Sequence, residues 1–233
     1  MATDPIVLLH ALEFRHPNAD SFVLRVAHLE LRRGERVACV GPSGSGKTTL
    51  LHLISGVTIP SAGSVHVLGD HIESWSDDAR RAMRLRHIGM VFQELELIEY
   101  LSTLDNLLLP VRLGVGPPNA SHRDRAVHLA RSMGIEHLLP RPPRRLSQGE
   151  RQRAALCRAL LLSPPLVLCD EPTGNLDPVN SQRVLDLLLD HVASTGSTLF
   201  MVTHNHALLH RFDRVLDMPS LSTPRHSSQE ARA

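Results

Sequence analysis

Gly41-Pro42-Ser43-Gly44-Ser45-Gly46-Lys47-Thr48 is a run whose residue types and spacing suit it to hold phosphate. It follows the pattern G-x-x-x-x-G-K-[ST], in which glycines let backbone N–H groups converge on phosphate oxygens. The flanks supply the setting this chemistry needs. Arg36–Val40 is apolar enough for a buried strand, and residues 49–54 are apolar and free of Gly and Pro, as an opening helix should be. A helix N-terminus there adds partial positive charge. Lys47 is predicted to reach the β- and γ-phosphates, and the Thr48 hydroxyl to bind Mg²⁺. With Thr49, these eight residues are the expected contacts of a nucleoside triphosphate.

A second cluster lies downstream. Leu166-Val167-Leu168-Cys169-Asp170-Glu171 is an apolar strand ending in two carboxylates. Alone, such a pair marks a helix cap or a solvated turn. Behind a phosphate cradle, Asp170 can hold Mg²⁺ through water, and Glu171 can polarise an attacking water as general base.

These groups need a scaffold. Strand-like and helix-like segments alternate along the chain, which predicts an α/β core around a mainly parallel sheet. Strands are expected at 6–14, 22–31, 36–40, 65–68, 88–92, 166–169 and 198–202; helices are expected at 49–54, 123–133, 149–162 and 181–194. The stretch 93–163 is helical in pattern and reads as a subdomain inserted into the sheet's connectivity. Residues 1–92 and 164–218 then form the core and an N-terminal β subdomain, giving one nucleotide-binding domain over 1–218. Residues 219–233 are rich in Ser, Pro and Arg and are predicted to be disordered.

Composition narrows the class. The 233 residues carry 25 Lys+Arg against 24 Asp+Glu, so no basic excess points to nucleic acid. Fifteen His are scattered without metal-ligand spacing, and three Cys at 39, 157 and 169 read as reduced, packed thiols. Residues 1–9 lack the basic start of a signal peptide, and no run reaches the roughly 18 apolar residues of a membrane span. A cytoplasmic protein is expected, held at a membrane only by another chain.

Leu146-Ser147-Gln148-Gly149-Glu150 resembles the signature motif of ATP-binding cassette (ABC) ATPases, usually LSGGQ. Gln93 after Val91-Phe92 is similar to that family's Q-loop, Gly174-Asn175-Leu176-Asp177 to its D-loop, and His204 to its switch histidine. With the cradle and the acids, the motifs stand in the family's order from Leu8 to Met218. The resemblance implies ATP and Mg²⁺ as ligands, and a head-to-tail pair of identical chains. Each ATP would lie between one chain's cradle and the other's Ser147 and Gly149, with Asp177 nearby. It also implies that His204 contacts the γ-phosphate, and Gln93 the Mg²⁺ or the attacking water. Ser147 reads equally as a plain N-cap.

The sequence departs from the family pattern in several places: Glu150 is a common variant of the fifth signature position, and the usual Gly-rich turn after the last strand is missing near Met218-Pro219. Gln148 replaces a Gly, and His16 stands where an aromatic residue, often Tyr, stacks on adenine; Phe14 is the alternative two residues earlier. The run after Gln93, with Asp170-Glu171-Pro172-Thr173-Gly174-Asn175-Leu176-Asp177, is similar to the lipoprotein-release, macrolide-export and cell-division group. That branch implies integral membrane partners whose coupling helix docks beside the segment after Gln93, at the cytoplasmic face of the inner membrane. Leu95, Leu97, Ile98 and Leu101 are then expected to be exposed, or in part to fill the subdomain's own core. Rival readings are a membrane-free ABC ATPase acting on DNA or ribosomes, a nucleotide-gated scaffold and a P-loop kinase.

Overall fold

The computed structural model describes residues 4–16, 23–174 and 176–221. It begins with an antiparallel pair, β1 (Val7–Arg15) and β2 (Val23–Leu31), followed by β3 (Arg36–Val40) and α1 (Lys47–Ile54). Next come β4 (Ala62–Val67), β5 (Asp70–His71), α2 (Asp77–His87) and β6 (Ile88–Val91). Four helices separate β6 from the next strand: α3 (Thr103–Leu107), α4 (Leu109–Gly114), α5 (Ala120–Ser132) and α6 (Gln148–Leu160). The chain then forms β7 (Leu166–Asp170), α7 (Pro178–Thr195), β8 (Thr198–Val202), β9 (Arg214–Asp217) and α8 (Met218–Leu221).

Two sheets result. Strands in the order β2-β1-β4-β5 pair antiparallel, and those in the order β6-β7-β8-β3-β9 pair parallel. Side chains alternate across a strand, so a sheet covered on both faces must be apolar throughout. In β7, Leu166 and Leu168 join the core shared with the antiparallel sheet and α1, while Val167 and Cys169 join the core shared with the helices. In β8, Phe200 and Val202 face the first core, Leu199 and Met201 the second. Each such buried side chain contributes about 1.5–3 kcal/mol, more than an exposed ion pair at ~0–1 kcal/mol. The two cores therefore dominate stability.

Local rules place several elements. Asp177 caps α7 by accepting from the N–H groups of Val179 and Asn180, both at 3.1 Å; Pro178 occupies its first turn and Gly196 (φ +67°) ends it. In β1 the pairing register shifts between His10 and Glu13, and Ala11 has φ +48°. Opposite it, a Cβ on Gly63 would lie 2.3 Å from the Ala11 carbonyl oxygen, so the bulge requires glycine there.

The structure adds six elements to the expected set: β5, α2, the short helices α3, α4 and α8, and β9. Helix α2 carries its own signals, a Ser76 cap accepting from Ala79 N–H at 3.3 Å, Asp77 and Asp78 in the first turn, and Arg84, Arg86 and His87 in the last. The tail also needs correction. Residues 219–221 continue helix α8, because Met218 is fully buried against Gly41 and anchors that turn; 222–233 lie outside the described residues. Among the described residues no helix is long and apolar enough to cross a membrane. All three cysteines are free and buried; burial pushes the Cys39 and Cys157 thiols up to about 12.

Strand β9 is tied to β3 by an ion pair, Arg36 Nη2 to Asp213 Oδ1 at 2.6 Å, and the hydrogen bonds from Arg36 hold the Asp213 carboxyl below its ordinary range. A depressed carboxylate stabilises the fold above its unfolded pKa of about 3.9, and that contribution is lost as pH falls through the lower folded value. Asp213→Asn is therefore expected to cost up to about 1 kcal/mol at pH 7, discounted for solvent screening. Urea melts at pH 7 and pH 3 should show the difference from wild type shrinking at the lower pH.

Candidate functional site

The turn from β3 into α1 takes backbone shapes that glycine allows. Gly41, Gly44 and Gly46 have φ of +151°, +76° and +94°. Gly46 caps α1 without a side chain, so the first-turn N–H groups remain free to meet an anion. Lys47 is only 6 % exposed, and its ammonium donates to the carbonyls of Gly41 (2.9 Å) and Pro42 (2.8 Å). Ser45 Oγ is buried with no hydrogen-bond partner. An orphaned hydroxyl, open glycine N–H groups and a lysine held by neutral carbonyls fit a phosphate chain, whose oxygens would satisfy all of them.

Asp170 closes β7, 7 % exposed, and its Oδ2 accepts from the Thr48 hydroxyl at 2.6 Å. A hydroxyl and a carboxylate in contact form the hard oxygen set that suits Mg²⁺, with phosphate and water completing the shell. Among the described residues no three His, Cys, Asp or Glu side chains converge on a metal position.

Glu171 follows with φ +48°, a left-handed backbone that breaks the strand's alternation and lets successive carboxylates share one side. Its N–H donates to the Val202 carbonyl at 3.0 Å, and its Oε1 lies 2.5 Å from His204 Nε2. Ser43, Gly44, Gly46, Lys47, Thr48, Thr49, Gln93, Glu171 and His204 line one open cleft of about 430 Å³. It sits at the carboxyl ends of β3, β6, β7 and β8, where open parallel sheets bind ligands.

Other predicted residues stand apart from that cleft. Ser147 caps α6 in a reciprocal box: its Oγ accepts from Glu150 N–H at 3.4 Å, and its N–H donates to Glu150 Oε2 at 2.7 Å. A Cβ on Gly149 would meet nothing closer than 3.6 Å, so this chain's own packing does not demand glycine there. Gln148 is exposed in the same turn. Asp177 is exposed, and its hydrogen bonds to Asn180, led by the side-chain one, hold its carboxyl low. His16 follows the end of β1 and is exposed, while Phe14 is 7 % exposed in the core and cannot stack on a base. Residues 17–22 and Asn175 lie outside the described residues.

In the segment after Gln93 the structure favours the second of the two expectations, in which these side chains in part fill the subdomain's own core. Leu95 is 8 % exposed, Leu97 packs against the helical core, and Ile98 and Leu101 are half-buried. Asn106, fully buried, is the cause. It accepts from Ile98 N–H at 2.7 Å and donates to the carbonyls of Ile98 and Ser102, both at 3.0 Å, folding the segment inward. Arg158 on α6 donates to the carbonyls of Leu95 (2.7 Å) and Glu96. The exposed large apolar side chains among the described residues of this stretch are Tyr100, Leu113 and Val115 instead, and beside Leu113 lies a groove of about 320 Å³ floored by Leu85, Met90, Phe92, Leu109 and Leu162. Sequence reasoning missed Asn106, Arg158 and this groove; the apolar Leu113 and Val115 just before Gly116-Pro117-Pro118 were the available signal.

Known proteins agree with this geometry. The family described as ABC transporter matches residues 24–174. A lipoprotein-releasing system ATP-binding protein, LolD, from Pseudomonas fluorescens is 44% identical over 197 residues, covering 84% of this chain and 86% of the relative. LolD of Maricaulis maris is 45% identical over 194 residues, covering 83% and 84%. Among solved structures, the dimeric post-hydrolysis state of the ATP-binding cassette MJ0796 bound to ADP and Pi superposes with a TM-score of 0.81 at 30% identity. It covers 91% of this chain and 93% of its own. With the cradle, the paired acids and the histidine gathered at the sheet's carboxyl edge, the chain belongs to the ABC transporter family and is an ATPase of the ATP-binding cassette type.

Proposed function

We propose that the chain energises lipoprotein release, working as a head-to-tail pair on the cytoplasmic face of a bacterial inner membrane with integral membrane partners. One observation carries the pairing. Ser147 and Gly149 stand at an exposed helix N-terminus outside the chain's own cleft, and no internal packing explains the glycine. A second copy's cradle is the reading that gives that surface a task, and the structural relatives described as dimeric support it.

Lys47, the first-turn N–H groups of α1 and Ser45 would bind the triphosphate, with Thr48 and Asp170 holding Mg²⁺. The ion would neutralise phosphate charge. Glu171 would take a proton from the attacking water while His204, in contact with it, holds its carboxylate and meets the γ-phosphate. Gln93 lines the same cleft and begins the segment that Arg158 ties to α6, so the occupied site and the groove can move together. The partner's cytoplasmic helix would dock in that groove. The relatives weigh against a membrane-free role on DNA or ribosomes.

The test is co-reconstitution with the membrane proteins that purify alongside the chain. ATP-dependent release of a lipoprotein from the vesicles is expected; ATP hydrolysis with no release in the assembled complex would contradict the assignment. At the groove, Leu113→Glu is expected to keep the wild-type Tm, since this side chain is 58% exposed, yet to lose most partner-stimulated hydrolysis. Full stimulation would move docking elsewhere.

A further inference from the structure

The groove beside Leu113 is apolar at its floor and cationic at its rim. Arg81, Arg84, Arg86 and Arg158 line it, against a single carboxylate, Glu96. None of the four makes an ion pair among the described residues, although neighbouring arginines do: Arg80 pairs with Asp77 at 3.3 Å and Arg112 with Asp105 at 2.9 Å. Three of them donate to neutral backbone carbonyls instead. Arg84 reaches Gly56 at 2.7 Å, Arg86 reaches Gly114 at 3.1 Å, and Arg158 reaches Leu95 at 2.7 Å. Arg81 is exposed. Carbonyl oxygens satisfy N–H donors but bring no counter-charge. Burial works against the cationic form of Arg84 and Arg158 and outweighs the attraction of Asp77 at Arg84 and of Glu96 at Arg158, while Arg80 and Arg81 add repulsion at Arg84.

We infer that the groove is built for an amphipathic helix that brings carboxylates to this rim, so that acidic residues of the membrane partner's cytoplasmic segment are what the chain recognises. The inference rests on the docking reading above and adds its chemistry. An apolar helix would fill the floor but leave four guanidinium groups facing it. A basic one would be repelled, as like charges across an interface strongly disfavour binding. The chain's own residues 222–233 carry Arg225 and Arg232 against Glu230 and would not neutralise the rim. Arginine also suits the task geometrically, because its fork meets a carboxylate with two donors.

Lys47 is the only lysine of the chain and is buried, which leaves the rim free for amine chemistry. The chain carrying Arg81→Lys or Arg84→Lys would be expressed with its membrane partner, and the membranes treated with a water-soluble carbodiimide. That reagent joins an amine to a carboxylate only in direct contact. A parallel chain would carry a photo-crosslinking amino acid at Leu113. The expected result is an amide crosslink from the new amine to an Asp or Glu in a cytoplasmic segment of a multi-span protein, absent from the wild type. Arg81→Glu should also lower recovery of that protein about tenfold or more. If the Leu113 probe captures the partner while neither new amine crosslinks and Arg81→Glu retains it, the acidic chemistry is wrong and the docking site stands. If the Leu113 probe captures no membrane protein, the docking reading and the inference fall together.

Discussion

A Glu171→Gln chain is expected to hydrolyse ATP about a thousandfold more slowly than wild type, with ATP affinity unchanged. The amide keeps the side chain's size and its place beside His204, 2.5 Å away in the wild type, but has no basic oxygen to accept a proton from water. Binding should survive because the groups placed to hold phosphate are others: Lys47, Ser45, Thr48 and the first turn of α1. The left-handed backbone at Glu171 (φ +48°) is fixed by its N–H bond to Val202, which the substitution leaves intact. Single-turnover hydrolysis with radiolabelled ATP measures the loss, and equilibrium binding measures the affinity. A rate within tenfold of wild type would assign the base to another group.

A large structural effect is expected at Gly89. Its φ is ordinary, so backbone freedom does not explain the glycine; space does. A Cβ there would lie 2.4 Å from the Ala159 carbonyl oxygen and 2.8 Å from Pro164 Cγ, where β6 presses on the end of α6. Valine improves strand propensity by up to ~1 kcal/mol, yet overpacking against backbone costs about 1–3 kcal/mol or more. The clash should win. Gly89→Val is expected to lose about 3 kcal/mol, roughly 6–12 °C in Tm for a chain of this size. It should also disturb function, because displacing α6 moves Ser147 at one end and Arg158 near the other. Calorimetry gives the Tm; a variant as stable as wild type would mean that β6 and α6 are not in tight contact.

What the sequence could reveal depended on whether a feature was local. The cradle, the two acids and the seven main strands carry their signals within a few residues, through glycine spacing and apolar runs, and they stand where expected. Ser147 as a cap was readable from Glu150 three residues on. Which of the two expectations holds after Gln93 was not, because it depends on Asn106 reaching back to Ile98 and on how α3 seats against α6. Arg158 was invisible for a related reason: its partners are backbone carbonyls, which leave no mark on residue type. Helix α2 was hidden by its high charge, though its cap and end charges were present. Strand β9 was too short to stand out, and it forms only because β3 offers an edge and Arg36 a partner for Asp213.

On this reading catalysis needs two copies, each completing the other's site. Light scattering on the Glu171→Gln chain, with and without a second substitution Gly149→Asp, separates a shared site from a self-contained one. Aspartate in the first turn of α6 suits the helix dipole and so preserves the helix, but it would repel a phosphate arriving from outside. With saturating Mg²⁺-ATP, the Glu171→Gln chain should go from 25.7 kDa to twice that mass. The double variant should remain monomeric while binding ATP with the same Kd. A Glu171→Gln chain that stays monomeric, or a Gly149→Asp change that weakens ATP binding to the single chain, would contradict a site shared between copies.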